Sequence, residues 1–555
     1  MTLTSTSKIA AFALPLSIFA LATPPAFSLT FTLEEATITS INAAYDAGII
    51  NSQQLVQLYL NRIDAYNKQG PTINSIISLN PNALSIAADL DLERQLTGAR
   101  SPLHGIPVLL KDNYNTFDLP TTAGVKALAG FTPATDAFQV DKLRDAGAII
   151  LGKTNLSEFA FSGSTSISSL GGQTVNPYDP LRSPAGSSGG TGAAIAANFA
   201  VIGMGTDTGG SIRNPASFNG LVGVRPTIGL SSREGIVPLA LSQDVGGPLT
   251  RTVWDAALTL DYTVGYDPSD PITMKSMGKI PNSYTTLLSL DGLQGKKIGV
   301  VRDLFGLDTN PESALVNQNI NKAIATMKGL GATFVDVTIP NLAQIFSYPS
   351  LSAYEFKFDL NDYLTTYGAP YQSLTAIINS GQFLPSNLGT LNARNSVTDL
   401  ATNVTYQDII AVRPGLTQSS LLTALNGLDA LLYPTSTGIP RLNSQGQQIG
   451  ANNRLSAFSG FPALTLPAGF TTATSTIPSL PVGMEFLGRA FSEPLLLQLA
   501  YAYEQTALVR TAPTFTPPLP GETIMVPEPQ SWAGLAAFGI GAIALKLTQK
   551  HKIKS

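Results

Sequence analysis

Helical stretches that stop at a glycine and give way at once to a short apolar run recur along this 555-residue chain. The clearest is VDKLRDAGAIILGKTN (140–155), which reads as a helix halted by Gly147 and followed by the buried strand AIIL. KKIGVVRD (296–303) reads as another strand, with a helix near 311–329 that ends at Gly329. ALLYP (430–434) and PALTLPAGF (462–470) read as further buried strands. Short apolar strands alternating with helices predict an α/β protein with a central mixed, mostly parallel sheet covered by helices on both faces. Residues 29–520 carry no repeat and no low-complexity linker, so they are read as one large domain. Within it, 340–425 is more helical and less regular, and is read as an insertion facing the substrate.

Composition removes whole chemistries. There is no cysteine, so thiol nucleophiles, disulfides, iron–sulfur clusters and thiolate zinc sites are excluded. The two histidines, His104 and His551, cannot build a multi-histidine metal site, and no metal or cofactor is expected. With 33 basic against 37 acidic residues and no basic patch, binding of nucleic acid through phosphate neutralisation is not expected.

Both ends read as processing segments. In residues 1–28, Lys8 precedes an apolar run from Ile9 to Ala22, and Ala26 and Ser28 follow at the spacing a signal peptidase accepts. The alternative is a first core helix, which Pro15, Pro24 and Pro25 suit poorly. At the other end, six prolines between 511 and 530 make a stiff spacer, followed by VPEP (526–529), an apolar stretch Trp532–Leu545 and a basic tail. Residues 521–555 in this order resemble the PEP-CTERM sorting signal of bacterial envelope proteins, which implies handling by an exosortase-type enzyme. An ordinary tail anchor is the alternative. Together the two ends predict an exported protein of the cell envelope or exterior, transiently held at the membrane.

The chemistry is concentrated in SPAGSSGGTGAAIAANFAVIGMGTDTGGSIRNPA (183–216). Glycines around Ser187-Ser188 and before Ser211 allow close approach to the backbone and N–H groups that converge on an anion. A serine at such a nest can attack a carbonyl while the nest holds the oxyanion. A phosphate loop is the other use of such a segment. No GxxxxGK[ST] occurs, GMGTDTGG is out of phase with GxGxxG, and there is no GxSxG elbow. Candidate bases are few. His104 precedes a turn and reads as structural. Lys111 closes the apolar run PVLLK, where burial would lower its pKa enough for it to act as a base. An ion pair with Asp112 is the competing role for that lysine.

These residues resemble the amidase signature family. The likeness rests on Ser187-Ser188-Gly189-Gly190, the 24-residue step to Ser211, and Asp207 with Ile212-Arg213-x-Pro215. It extends through GIPVLLKDN (105–113), GKTNLSEFA (152–160), GGQTVNPYD (171–179), residues 222–257, FSGFPALTLPAGF and LPVGMEFLGRAFSE, in family order across most of 30–510. The resemblance implies the amidase signature fold and a Ser-Ser-Lys triad without metal or cofactor. Ser211 would be the nucleophile, Ser187 the relay, preceded by a cis peptide, and Lys111 the base. Backbone N–H groups of Thr208, Gly209, Gly210 and Ser211 would form the oxyanion hole. Ser188 would hydrogen-bond within the lysine cluster, and Asp207 and Arg213 would brace the loop.

Three positions depart from the family pattern: Ala185 stands where a glycine is usual, Asn214 where an apolar residue is common, and Ser157 where an aspartate is frequent. Alanine fits at 185 if its φ is negative. The implied activity is hydrolysis of a small-molecule or peptide amide through an acyl-enzyme. Rival readings are a tRNA-dependent transamidation subunit, a Ser-His hydrolase using His104, and an inactive amidase-fold scaffold or binding protein of the envelope.

Overall fold

The computed structural model describes residues 30–445, 450, 452–475 and 477–525. The apolar segment 1–28 and the VPEP motif with its following apolar stretch and basic tail (526–555) lie outside the described residues. The main unit is Thr32–Thr523.

The main unit is built on an eleven-stranded sheet. In chain order its strands are β1 (Ile76–Leu79), β2 (Pro107–Lys111), β3 (Ile149–Thr154), β4 (Ile202–Asp207), β5 (Val222–Arg225), β6 (Val245–Thr250), β7 (Lys297–Val301), β8 (Thr333–Val337), β9 (Ala430–Pro434), β10 (Ala463–Phe470) and β11 (Pro481–Leu487). Their spatial order is β8-β7-β9-β11-β10-β5-β6-β4-β2-β3-β1. The segments read as strands at 148–151, 296–303, 430–434 and 462–470 contain or overlap the strands Ile149–Thr154, Lys297–Val301, Ala430–Pro434 and Ala463–Phe470, and the helix expected near 311–329 is Pro311–Gly329.

The sheet is mixed, but parallel pairing is confined to two wings, β8-β7-β9 and β4-β2-β3. The other six neighbouring pairs are antiparallel, which corrects the expectation of a mostly parallel sheet. For β10 and β11 the cause is a short connection. Residues 471–480 return β10 directly beside itself as β11, and 226–244 lead from β5 to β6 without a helix. A parallel neighbour needs a crossover of about a dozen residues or more, so the short return makes β10 and β11 antiparallel.

Burial on both faces leaves β2, β3, β4, β5 and β6 without an exposed residue. The short helix Gly189–Ala196 packs on β2, β4 and β6. The 340–425 region is helical, as Leu342–Ser347, Ser352–Thr366, Leu374–Ser380, Leu388–Asn395 and Val404–Ala424. Phe356 and Leu360 of its second helix share an apolar cluster with Phe159, Ala160, Val237 and Leu239. The proline-rich stretch begins inside the main unit: the Arg62 guanidinium donates to Thr516 O, to Pro517 O at 3.1 Å and to Glu522 at 2.8 Å.

Candidate active site

β2 and β4 are parallel neighbours, with Val108 beside Ile202 and Leu110 beside Met204, so both strands end at the same edge of the sheet. One end delivers Lys111 and the other delivers Thr206 and Asp207. The Lys111 side chain is fully buried, and its Nζ donates to Ser187 Oγ and to Thr206 Oγ1, each at 2.7 Å. Asn113 Nδ2 donates to the same Thr206 oxygen at 3.1 Å. Desolvation pulls the Lys111 pKa from 10.5 down to about 7, against the opposing fields of Asp244 and Asp207. The competing ion pair with Asp112 does not form, because Asp112 lies 3.2 Å from Lys153 instead.

Ser187 and Ser188 sit at the entrance to the helix Gly189–Ala196, and the Gly186–Ser187 peptide is cis. Ser187 O accepts from Ser157 N at 3.0 Å, which gives the serine at 157 a backbone role beside the relay position. A Cβ on Gly186 would lie 2.2 Å from Thr165 O, so the backbone there has no room for a side chain. Ala185 stands at φ +64°, so the negative φ that would suit alanine is not met, and the residue occupies the left-handed region. Ser188 Oγ donates to Thr206 O at 3.2 Å and accepts from Thr206 N at 3.3 Å. Its place in the lysine cluster is therefore indirect, through the backbone of the threonine that the lysine touches.

Asp207 and Arg213 brace the loop between β4 and the helix Arg213–Phe218. Asp207 accepts from Gly210 N at 2.7 Å, Ile212 N at 3.2 Å, Arg213 Nε at 3.0 Å and Arg225 Nη1 at 3.0 Å. Burial works against its charge, but the Arg213 and Arg225 guanidiniums outweigh it and hold the carboxyl well below its ordinary range. Arg213 extends the chain of charges to Glu485 at 2.6 Å.

One consequence corrects the four-donor oxyanion hole: the Gly210 N–H is already engaged by Asp207. The N–H groups of Thr208, Gly209 and Ser211 have no acceptor among the described residues. Gly210 has φ +123°, and a Cβ there would meet Asn453 Oδ1 at 2.6 Å. Ser211 is 5% exposed, and its carbonyl accepts from Ser188 N at 3.2 Å. The structure thus brings Lys111 to Ser187 by a direct hydrogen bond and Ser188 to Ser211 through the backbone. No hydrogen bond joins the Ser187 and Ser211 hydroxyls.

Three further residues were not singled out from sequence. Thr206 is the second partner of the lysine, and its signal was its place at the buried end of a strand, directly before Asp207. Asp244 accepts from the Thr208 hydroxyl and from the N–H groups of Leu239 and Ala240, the last two at 2.8 and 2.9 Å. Gln243 bonds Thr208 O at 2.9 Å. Thr206, Thr208, Asn113, Val237, Leu239 and Asp244 line one narrow pocket. His104 is buried elsewhere, its Nε2 2.8 Å from Leu90 O and its Nδ1 accepting from Arg100 N. Among the described residues no three His, Asp or Glu side chains gather in a way that could hold a metal ion.

The amidase family model matches residues 54–497. The chain belongs to the amidase signature family. It is 36% identical over 509 residues to a protein of Arabidopsis thaliana named as a probable amidase, covering 88% of this chain and 93% of that one. It is 35% identical to a glutamyl-tRNA(Gln) amidotransferase subunit of Methanosarcina acetivorans, over 78% of this chain and 90% of that one. The crystal structure of the peptide amidase of Stenotrophomonas maltophilia superposes with a TM-score of 0.80 at 40% identity, over 87% of this chain and 99% of that one. The single α/β domain with its mixed sheet between helices is the fold of these enzymes, and the chain is an amidase-family hydrolase of carbon–nitrogen amide bonds.

Proposed function

We propose that this amidase hydrolyses carboxylic amides, peptide amides among them, through an acyl-enzyme formed on Ser211. Neutral Lys111 takes the proton of Ser187 as Ser187 takes that of Ser211, and the Ser211 oxygen bonds to the amide carbon. The oxyanion is held by the N–H groups of Thr208, Gly209 and Ser211. As the carbon–nitrogen bond breaks, the proton returns through Ser187 to the leaving amine or ammonia. Water then repeats the attack by the same route, releasing the carboxylate and restoring Ser211. A bridging hydroxyl suits this traffic because it both donates and accepts. The open Ser187–Ser211 link would close on substrate binding, since such contacts commonly tighten only in the complex.

The observation that carries this proposal is the buried Lys111 amine, 2.7 Å from Ser187 Oγ and brought to a pKa of about 7. A base poised at the working pH is the ordinary requirement of acyl transfer. Peptide amides are favoured over other amides by the 40% identity to the peptide amidase. We also propose that the protein is exported, with residues 1–28 removed by a signal peptidase and 521–555 handled by an exosortase-type enzyme. The test is ammonia release from peptide C-terminal amides, amino-acid amides and aliphatic amides by the wild type and by Ser211→Ala. Loss of all turnover in the variant is expected; turnover at the wild-type rate would refute the nucleophile. Labelling by a fluorophosphonate in the wild type and not in Ser211→Ala separates an enzyme from an inactive scaffold.

A further inference from the structure

The donors proposed for the oxyanion belong to peptide units whose other ends are gripped by side chains. A trans peptide is planar, with its C=O and N–H pointing in opposite directions. Whatever holds a carbonyl therefore aims the next residue's N–H. Arg225 Nη1 donates to Asp207 O, which aims the Thr208 N–H the opposite way. Gln243 Nε2 donates to Thr208 O at 2.9 Å, which aims the Gly209 N–H.

Gln243 is itself fixed from the other side. Its Oε1 accepts from Leu351 N at 2.9 Å and from Arg413 Nη2 at 2.9 Å. Its remaining amide proton faces Ser350 Oγ at 3.4 Å. The residue is 1% exposed. The partners fix the orientation of the amide: turned over, it would set its NH₂ against two donors and its oxygen against the Thr208 carbonyl. One buried amide thus spans the nucleophile loop on one side and, on the other, two parts of the helical 340–425 region: the turn before Ser352–Thr366 and the middle of Val404–Ala424.

We infer that Gln243 is a positioning residue that sets the aim of the Gly209 N–H and fastens that aim to the 340–425 helices. This rests on the proposed acyl chemistry at Ser211 and adds to it the group that orients one donor. Removing an oxyanion donor outright typically lowers kcat by about 10²–10³-fold. A donor left in place but released from its aim should lower kcat by about 10–100-fold, with KM little changed.

Two variants isolate the effect. Gln243→Glu keeps an acceptor for Leu351 N and Arg413 but removes the donor to Thr208 O. Gln243→Met is neutral, similar in length, and removes both ends of the bridge. Each is compared with wild type and Ser211→Ala for kcat, KM and Tm on the amide that the wild type turns over fastest. The expected result is a fall in kcat of about 10–100-fold in both variants with unchanged KM, read below each variant's Tm, which falls in Gln243→Glu because a carboxylate oxygen then faces the Thr208 carbonyl. Wild-type kcat in either variant would overturn the inference. So would a loss confined to Gln243→Glu, which would be an effect of charge, or a loss in KM alone. If Ser211→Ala retained full turnover, the site itself would be wrong and this inference would fall with it. Loss in Ser211→Ala with wild-type rates at both Gln243 variants would sink this inference alone.

Discussion

Replacing Lys111 by Met tests the buried base through stability as well as through rate. The folded pKa of about 7 against the usual 10.5 sets the size of the effect. Between those values the unfolded chain binds a proton that the folded chain has released, so wild-type stability rises with pH across that window. It is lowest at and below pH 7. With about 1.4 kcal/mol per pKa unit, keeping this amine in the core costs about 4 kcal/mol at pH 7 and about 2 kcal/mol at pH 9. Methionine carries no such cost. It forfeits the bonds to Ser187 and Thr206, at about 1 kcal/mol each, but those losses do not depend on pH. The stability of Lys111→Met relative to wild type should therefore decline by about 2 kcal/mol between pH 7 and pH 9. Urea unfolding followed by far-UV circular dichroism at both values reads this directly. A difference that stays constant across the two would mean that the lysine titrates normally, and the base assignment would be lost.

Three other outcomes follow from the same geometry. The pH profile of kcat/KM in the wild type should rise through an apparent pKa near 7 as Lys111 loses its proton, and a profile flat from pH 6 to 9 would contradict this. Asp207→Asn should destabilise the fold by about 3–5 kcal/mol in chemical denaturation, because Arg213 and Arg225 lose a buried counter-charge; a shift under 1 kcal/mol would refute the brace. His104→Ala should lower stability by about 1–3 kcal/mol through its lost bond and packing. Its kcat should match wild type, whereas complete loss in the folded variant would restore the Ser-His reading.

What was legible in the sequence was mostly local. The helix-glycine-strand unit at 140–155 and the helix at 311–329 are set by periodicity and by the residues that stop them, and both formed where expected. The direction of strand pairing was not legible, because β5 and β6 become neighbours through an irregular 226–244 connection whose path depends on distant contacts. The lysine and the serine pair were found from burial logic and from the family likeness. That the Gly210 N–H would be taken by Asp207 could not be read, since Gly209 and Gly210 look alike until the carboxylate is placed. The resemblance led to the right loop, but Ala185 at φ +64° shows that a tolerated substitution can sit in a conformation the residue itself disfavours. Thr206 and Gln243 were missed because each matters through partners far away in the chain.

The shared edge where β2 and β4 finish separates two kinds of change open to such an enzyme. Lys111 is rooted at the end of a fully buried strand paired on both sides, where a shift of that strand would drag its neighbours along. The 340–425 helices reach the nucleophile loop through Gln243 and not through the sheet. An exchange of those helices therefore keeps the loop in place only where it still presents a donor and a guanidinium to the buried amide that links the two layers.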